Sequence, residues 1–300
     1  MDEELVDLES VIRRWCTDRF GAGSDTAPFS FTCWKDLAHL GVLGLDTSEG
    51  GGSLVHVARA MEILGHFGCR GPLVPTFVAT HLLSGSERLR VLEGAEIAAV
   101  NFGDRVTPWS GIASIHIQIE PIEWQAWICK TACEPIPTST MSGEPWASVE
   151  LDRVAPLGDA RSAIAVGLVA QASYLVGAAL RMVTEAANYA ADRRQFGVPI
   201  GNFQAISHGL ADSWARLSAA RVQIDDTARG APTMDRAART QVAAAGHAIQ
   251  AVYHAYQTYG GMGFATENHV ASLGLRVREV AVIGPSAAVV EREALRTWYP

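Results

Sequence analysis

The sequence predicts a mainly α-helical protein with a small central β-domain: an N-terminal helical domain, a reduced β-domain and a C-terminal four-helix bundle. Two observations carry this. Apolar residues recur at spacings of three and four in the first third of the chain and again after residue 160, the period of helices with one buried face. Between them, short apolar and β-branched runs are cut by Pro108, Pro121, Pro135, Pro137 and Pro145, which suits strands, edges and turns. The expected boundaries are 1–95, 96–158 and 159–300. No low-complexity linker separates the parts, so they read as one folded unit.

Leu5, Leu8, Ile12 and Trp15 place a helix over 3–20. Residues 21–29 form a loop, and Thr32 to Leu40 a second helix closed by Gly41. The run Ser48-Glu-Gly-Gly-Gly-Ser is too glycine-rich for regular structure. It lacks the lysine of a P-loop, so a nucleotide site there is disfavoured. Leu54 to Phe67 is a third helix, with Val57, Met61 and Leu64 on one face, and Pro72 to Leu83 holds a fourth. Strands are expected at Ile97–Phe102, Ile112–Ile119, Trp124–Cys129 and Ala147–Leu151. Helical periodicity then returns through Leu168, Leu175, Met182 and Tyr189, through Phe203, Leu210, Leu217 and Ile224, and through Ala238, Ala245, Val252 and Tyr259. Three long helices with narrow alanine-rich seams, and a fourth from about Val270, imply an antiparallel bundle.

The 48% hydrophobic content over 300 residues supports a large core, and only 19% of residues are charged, so the chain is not of disordered composition. A formal net charge of −8 argues against a sequence-independent nucleic-acid binder. Cys16, Cys33, Cys69, Cys129 and Cys133 form no Cys-x-x-Cys pair, so no metal is expected. Their odd number and the lack of a signal peptide fit reduced thiols in the cytoplasm. No uninterrupted apolar run approaches the roughly 20 residues of a membrane span, and no membrane association is expected.

The most distinctive stretch is Ala191 to Ala211, where one helix ends and another begins. Arg193, Arg194, Gln195, Phe196, Gly197, Pro199 and Gly201 are gathered there. Gly197 and Gly201 permit backbone angles that other residues resist, and Pro199 stops the preceding helix. From spacing alone this is a helix–helix corner with two solvated arginines.

Three segments in order give the corner more meaning. Leu40-Gly-Val-Leu-Gly-Leu with Glu49-Gly-Gly-Gly, Arg193-Arg-Gln-Phe-Gly-Val-Pro-Ile with Phe203-Gln204 and Leu210-Ala-Asp212, and Gln257-Thr-Tyr-Gly-Gly-Met-Gly-Phe with Glu267 together resemble the acyl-CoA dehydrogenases, in a shortened form. The resemblance covers nearly the whole chain. It implies a flavoprotein that binds FAD largely across a subunit interface. Arg193 would hold the pyrophosphate through charge-assisted hydrogen bonds, Gln195 and Phe196 would line the dinucleotide path, and Gln257 would reach a neighbour's FAD. Gly260 and Gly261 would let backbone lie against the cofactor. The implied reaction is α,β-dehydrogenation of an acyl-CoA thioester, with a glutamate as base.

The chain departs from that pattern in two places. The segment where the base belongs reads Val280-Ala-Val-Ile-Gly-Pro-Ser-Ala, and the alternative position on the first bundle helix reads Ser162-Ala-Ile-Ala-Val-Gly-Leu-Val. Neither holds a carboxylate; Asp159, Glu279 and Glu291 are the nearest acids. The β-region lacks the Thr-Glu-Pro-like motif that holds the flavin ring. Trp109 and Trp146, each preceded by proline, fit strand-edge core aromatics as well as flavin stacking. Both losses resemble the base-lacking subunits of α2β2 acyl-CoA dehydrogenases that act on steroid side-chain thioesters. The expectation is therefore a cytoplasmic FAD-dependent subunit with no catalytic residue of its own, paired with a homologous subunit carrying the glutamate and acting on a bulky acyl-CoA of the sterol side-chain kind. The alternatives are an autonomous FAD enzyme with another base, in secondary metabolism, and a flavin-free scaffold.

Overall fold

In a computed structural model, residues 3–21, 28–230, 232–265 and 268–296 are described. Most of the 21–29 loop and Glu267 of the third segment lie outside them. The N-terminal helices are α1 (Glu3–Phe20), α2 (Phe31–His39), α3 (Leu54–His66), α4 (Leu73–Leu82) and α5 (Gly85–Leu92). Helix α5 was not expected: its Gly-Ser-Glu-Arg-Leu-Arg-Val-Leu carries little apolar periodicity, and only Val91 is buried.

The β-region forms two small sheets. In one, β1 (Ala98–Asn101), β3 (Ile115–Ile119), β4 (Gln125–Thr131) and β7 (Leu151–Asp159) lie in that order, β1 parallel to β3 and the rest antiparallel. In the other, β2 (Val106–Thr107), β6 (Trp146–Ser148) and β5 (Ile136–Thr138) are antiparallel. The single strand expected at 147–151 is split, its start belonging to β6 and only Leu151 to β7, which runs on to Asp159. Strand β7 tolerates Pro156 because it is an edge strand with register shifts against β4, so no ladder donor is lost on its open side.

The C-terminal part holds α6 (Arg161–Asp192), α7 (Gln204–Arg229), α8 (Met234–Tyr259), α9 (His269–Val280) and α10 (Ala287–Leu295). Helix α6 is the axis of the molecule, packed against α3, α4, α7, α8 and α9. It contains an 18-residue window of mean hydropathy 1.8, so by length and apolarity it could span a bilayer, contrary to the sequence expectation. That window is 94% buried inside the protein, which is where its apolarity goes. At the α3–α6 crossing Gly65 faces the Tyr174 carbonyl and Gly177 faces the Glu62 carbonyl, so a Cβ on either would overlap the opposite backbone. Arg59 clamps the same region, reaching Glu62 at 3.0 Å, Asp225 at 2.7 Å and Glu9 at 3.7 Å, and so ties α1, α3 and α7.

Candidate functional site

The Ala191–Ala211 corner is built by a stop and a hairpin. Helix α6 ends when Arg193 turns extended, its N–H still donating to the Tyr189 carbonyl at 2.8 Å. The chain then makes a minimal hairpin, β8 (Arg194–Gln195) against β9 (Val198–Pro199). Phe196 and Gly197 form its loop, both at positive φ (52° and 84°), as a two-residue hairpin of the primed type requires. Gly197 thus has the conformational role expected of it. Gly201 has a different one: its φ is ordinary, and it matters because a Cβ would meet the Ala190 carbonyl oxygen at 3.2 Å.

Phe196 is unusual. A bulky side chain at positive φ is strained, and this one is 93% exposed, its ring edge-on to Phe203 with centroids 6.1 Å apart. Arg193 is exposed and makes no ion pair among the described residues. Arg194 donates to the Gly197 carbonyl at 3.2 Å, and the Gln195 amide to the Arg194 carbonyl at 2.7 Å. These two contacts stiffen the hairpin, while Arg193 and Phe196 remain open.

The glycine segment lies at the same end of the bundle. Helix α8 stops at Gly260, whose φ is 58°, and a 3-10 turn runs to Phe264. Gln257, Gly260 and Gly261 are exposed, and nothing lies within 4 Å of a Cβ placed on either glycine. The join between the two motifs is a stack: the Tyr189 ring lies on Tyr259, centroids 4.4 Å apart and planes 20° apart. Tyr259 also donates to the Glu185 carbonyl, and burial, with help from the Glu185 charge, pushes its phenol up to about 12. All six sequence-selected residues, Arg193, Gln195, Phe196, Gln257, Gly260 and Gly261, therefore sit on the surface of this chain. None lines any of four cavities bounded by the described residues. A group held by them must be covered from outside.

A second region lies where the sheets meet the bundle. Two adjoining cavities share Val100, Phe102 and Gly284. The first, about 200 Å3, is lined by Asn101, Thr107, Pro108 and Trp146 among others. Asn101 is locked, donating to the Asp104 carbonyl at 2.6 Å and Thr107 at 2.7 Å and accepting from Gly103 N–H at 2.8 Å. The Trp146 indole N–H is buried and has no hydrogen-bond partner among the described residues, an unused donor in the slot. Trp109 lies elsewhere, fully buried with its ring 5.1 Å from Phe29, so only Trp146 of the two tryptophans reaches this slot.

The second cavity brings together the two segments where a base would be placed. Ile164, Gly167 and Leu168 face Ile283, Gly284 and Pro285 across it. No carboxylate is among its described lining residues; its one polar side chain is Gln171. The nearest acids point elsewhere. Asp159 accepts from the Arg161 backbone at 3.0 Å at the surface, and Glu291 is exposed on α10. Glu279 is buried, accepting from the Ser142 N–H at 2.6 Å and from its hydroxyl. Beside it, Arg276 pairs with buried Glu144, and Arg70 donates to the Ser142 carbonyl at 2.6 Å. Among the described residues, no group of three or more His, Cys, Asp or Glu side chains could hold a metal ion.

Sequence reasoning missed Asn101 and Gln171. Each carries a signal in retrospect: Asn101 closes the apolar run Ile97-Ala-Ala-Val, and Gln171 is the one amide between Ala163 and Ala172.

Residues 157–289 match the family model for the acyl-CoA dehydrogenase C-terminal domain. The chain is 31% identical over 224 residues to the acyl-CoA dehydrogenase IpdE2 of Mycolicibacterium smegmatis, covering 73% of this chain and 71% of that one. Among solved structures, PigA with FAD and proline superimposes with a TM-score of 0.84 at 18% identity, covering 99% of this chain and 98% of that one. The ChsE4–ChsE5 complex from Mycobacterium tuberculosis gives 0.80 at 18% identity, over 100% and 98%.

Proposed function

Because the chain belongs to the acyl-CoA dehydrogenase family, we propose that it is an FAD-dependent subunit of an acyl-CoA dehydrogenase that works with a homologous, glutamate-bearing partner. The observation that carries this reading is the contrast between the two sites. The surface motif keeps a free guanidinium, an open aromatic and an open glycine turn, while the base segments converge on a cavity with no described carboxylate. A subunit that is to present a cofactor grip to a neighbour needs the first. A subunit that is to remove an α-proton itself needs what the second lacks.

The residues fit a flavin dinucleotide. Arg193 would take the pyrophosphate, Phe196 and Gln195 the path beside it, and Gln257 with Gly260 and Gly261 the opposite wall. Trp146, with its unpartnered N–H, and the Asn101–Thr107 pair would border the ring in the 200 Å3 slot. The flavin, when bound, supplies the hydride acceptor for a carbon β to the thioester. This chain's part is to bind and orient. Its guanidinium and backbone N–H groups hold anionic oxygens, and its apolar slot walls keep water from the ring. The partner's carboxylate would take the α-proton. The Tcur3481–Tcur3483 steroid ACAD, whose fold matches with a TM-score of 0.79 at 23% identity, supports a bulky acyl-CoA of the steroid kind, and the ChsE4–ChsE5 complex supports an assembly of two related subunit types. The free thiols of Cys33, Cys129 and Cys133 suit a reducing compartment.

The test is to co-express the chain with a longer homologue that retains the glutamate, purify the complex and measure flavin absorbance per heterodimer. Arg193→Ala is expected to lower flavin retention without changing assembly. A flavin-replete Arg193→Ala complex would count against the reading.

A further inference from the structure

The 200 Å3 slot has walls from different parts of the molecule. Trp146 of β6 lines one side, and Val282 and Gly284, in the turn that follows α9, line another. Its width depends on how far the three-stranded sheet stands from that turn. The β5–β6 loop bridges the two. It leaves β5 at Thr138, enters β6 at Trp146, and is pinned to the helical body in between.

Glu279 of α9 uses both carboxyl oxygens on Ser142. One accepts from the backbone N–H at 2.6 Å and the other from the hydroxyl. Arg276, one turn earlier on α9, pairs with Glu144. Arg70, between α3 and α4, donates to the Ser142 carbonyl at 2.6 Å. These two acidic and two basic side chains are all buried, which is tolerated only where such groups are paired. Arg276 also donates to the Tyr174 hydroxyl at 3.2 Å, and that hydroxyl to the Cys69 carbonyl at 2.9 Å, so α6 is tied in as well. Within the loop the Glu144 N–H donates to the Thr140 hydroxyl at 2.7 Å, and the Trp146 N–H to the Glu144 carbonyl at 2.8 Å. A displacement of Ser142 or Glu144 therefore passes to Trp146 through a loop closed on itself. Ser142 lies four residues before Trp146, and Glu279 three before Val282, so one contact joins the two walls over a short length of chain on either side.

We propose that Glu279 is a positioning residue that sets the width of the slot for a flavin ring, by pinning the loop that carries Trp146 to the helix whose end forms the opposite wall. The pin stands on geometry, and its bearing on a flavin rests on the function proposed above. The acid that immediately precedes the base segment thus shapes the cofactor slot, acting through Ser142 and Trp146 and touching no substrate.

Three variants test the pin and the width separately. Glu279→Leu keeps the bulk and removes both acceptors. Glu279→Gln keeps an acceptor for the Ser142 N–H and offers the hydroxyl an amide in place of the second oxygen. Trp146→Ala removes the wall itself. On the full-length chain, hydrogen exchange at the amides of Ser142, Glu144 and Trp146 is expected to rise about tenfold in Glu279→Leu, as local opening does, with α8 unchanged and Glu279→Gln close to wild type. Unaltered exchange in Glu279→Leu would overturn the pin. In the complex with the glutamate-bearing homologue, titration with FAD is expected to show about tenfold weaker binding for Glu279→Leu, the scale of one lost buried hydrogen bond. Trp146→Ala is expected to lose at least as much, and Glu279→Gln little. Loosened exchange with undiminished FAD affinity in Glu279→Leu, while Trp146→Ala loses affinity, would reject the width claim and leave the flavin reading standing. A wild-type complex that takes up no FAD would instead reject the flavin reading, whatever the exchange shows. If Glu279→Leu does not fold, Ser142→Ala removes one of the two bonds from the half-buried side. It is expected to raise exchange at the same amides and weaken FAD binding, and no change in either would contradict the proposal.

Discussion

Phe196 has a conformation that its own chain does not reward. A non-glycine residue at positive φ is held there by its surroundings, yet the ring is almost wholly exposed. Phe196→Ala is thus expected to change the unfolding free energy of the isolated chain by less than about 0.5 kcal/mol, as exposed substitutions do, while weakening flavin retention in the complex. Arg193→Ala should cost more there, about 1.5–3 kcal/mol for a lost charge-assisted hydrogen bond, read as roughly ten- to hundredfold weaker flavin binding by fluorescence titration. Gln171 is the opposite case, buried and structural in its effect. Gln171→Leu leaves the Ile283 carbonyl without a donor and is expected to destabilise the chain by about 2–3 kcal/mol in urea denaturation. These residues also show what a sequence can reveal about a site. Arg193, Gln195, Phe196 and Gln257 stand within short motifs and were legible as such. Gln171 acts through Val280 and Ile283, far along the chain, so only the fold reveals what it does; Asn101 bonds to its near neighbours Gly103, Asp104 and Thr107, but one asparagine at the end of a short strand forms no motif.

At the scale of elements, the joints carry the sharpest predictions. Gly65 and Gly177 bring the α3 and α6 backbones into contact, and Ala at either position must push the helices apart. Overpacking of that kind costs about 1–3 kcal/mol or more, so a fall in thermal midpoint is expected for each single variant. Two histidines at helix ends give opposite pH effects. His66, at the end of α3, is held down to about 4 by burial first and then by the Arg181 and Arg13 charges. Its native state prefers the neutral ring, so this contribution is present above the ordinary value of 6.5 and is lost as pH falls from there toward about 4. His81 of α4 joins the 45–51 loop, its ring nitrogens facing the Phe77 carbonyl at 2.8 Å and the Asp46 carbonyl at 3.0 Å. Burial pushes its pKa down, but the Asp46 side chain and these oxygens outweigh burial, and the net shift is upward. Its contribution is therefore full below 6.5 and is lost as pH rises through the raised value. Melting curves of His66→Gln and His81→Gln against pH are expected to lose the acid-side and the alkaline-side slope respectively. The long helices were legible because α6, α7 and α8 carry many turns of one period. Helix α5 and strands β2 and β5 were not, since so few residues carry little pattern and their pairing is set by neighbours far along the chain.

The whole molecule is arranged around α6, which meets the N-terminal helices on one side and the bundle on the other. Its first turns border the cavity where the two base segments meet and its end becomes the exposed corner, so one helix joins the two regions. The order of helices, strands and bundle followed from periodicity, and the family followed from three short motifs. The proposed division of labour between two subunits rests on the cavity, because its described lining brings the two base segments together without a carboxylate. The most direct test of that division is a ferrocenium reduction assay with a steroid side-chain acyl-CoA, run on this chain alone and on its complex with a glutamate-bearing homologue. The account predicts no turnover by the chain alone, turnover by the complex, and loss of that turnover when the partner's glutamate is replaced by glutamine. Full turnover by this chain alone would contradict it.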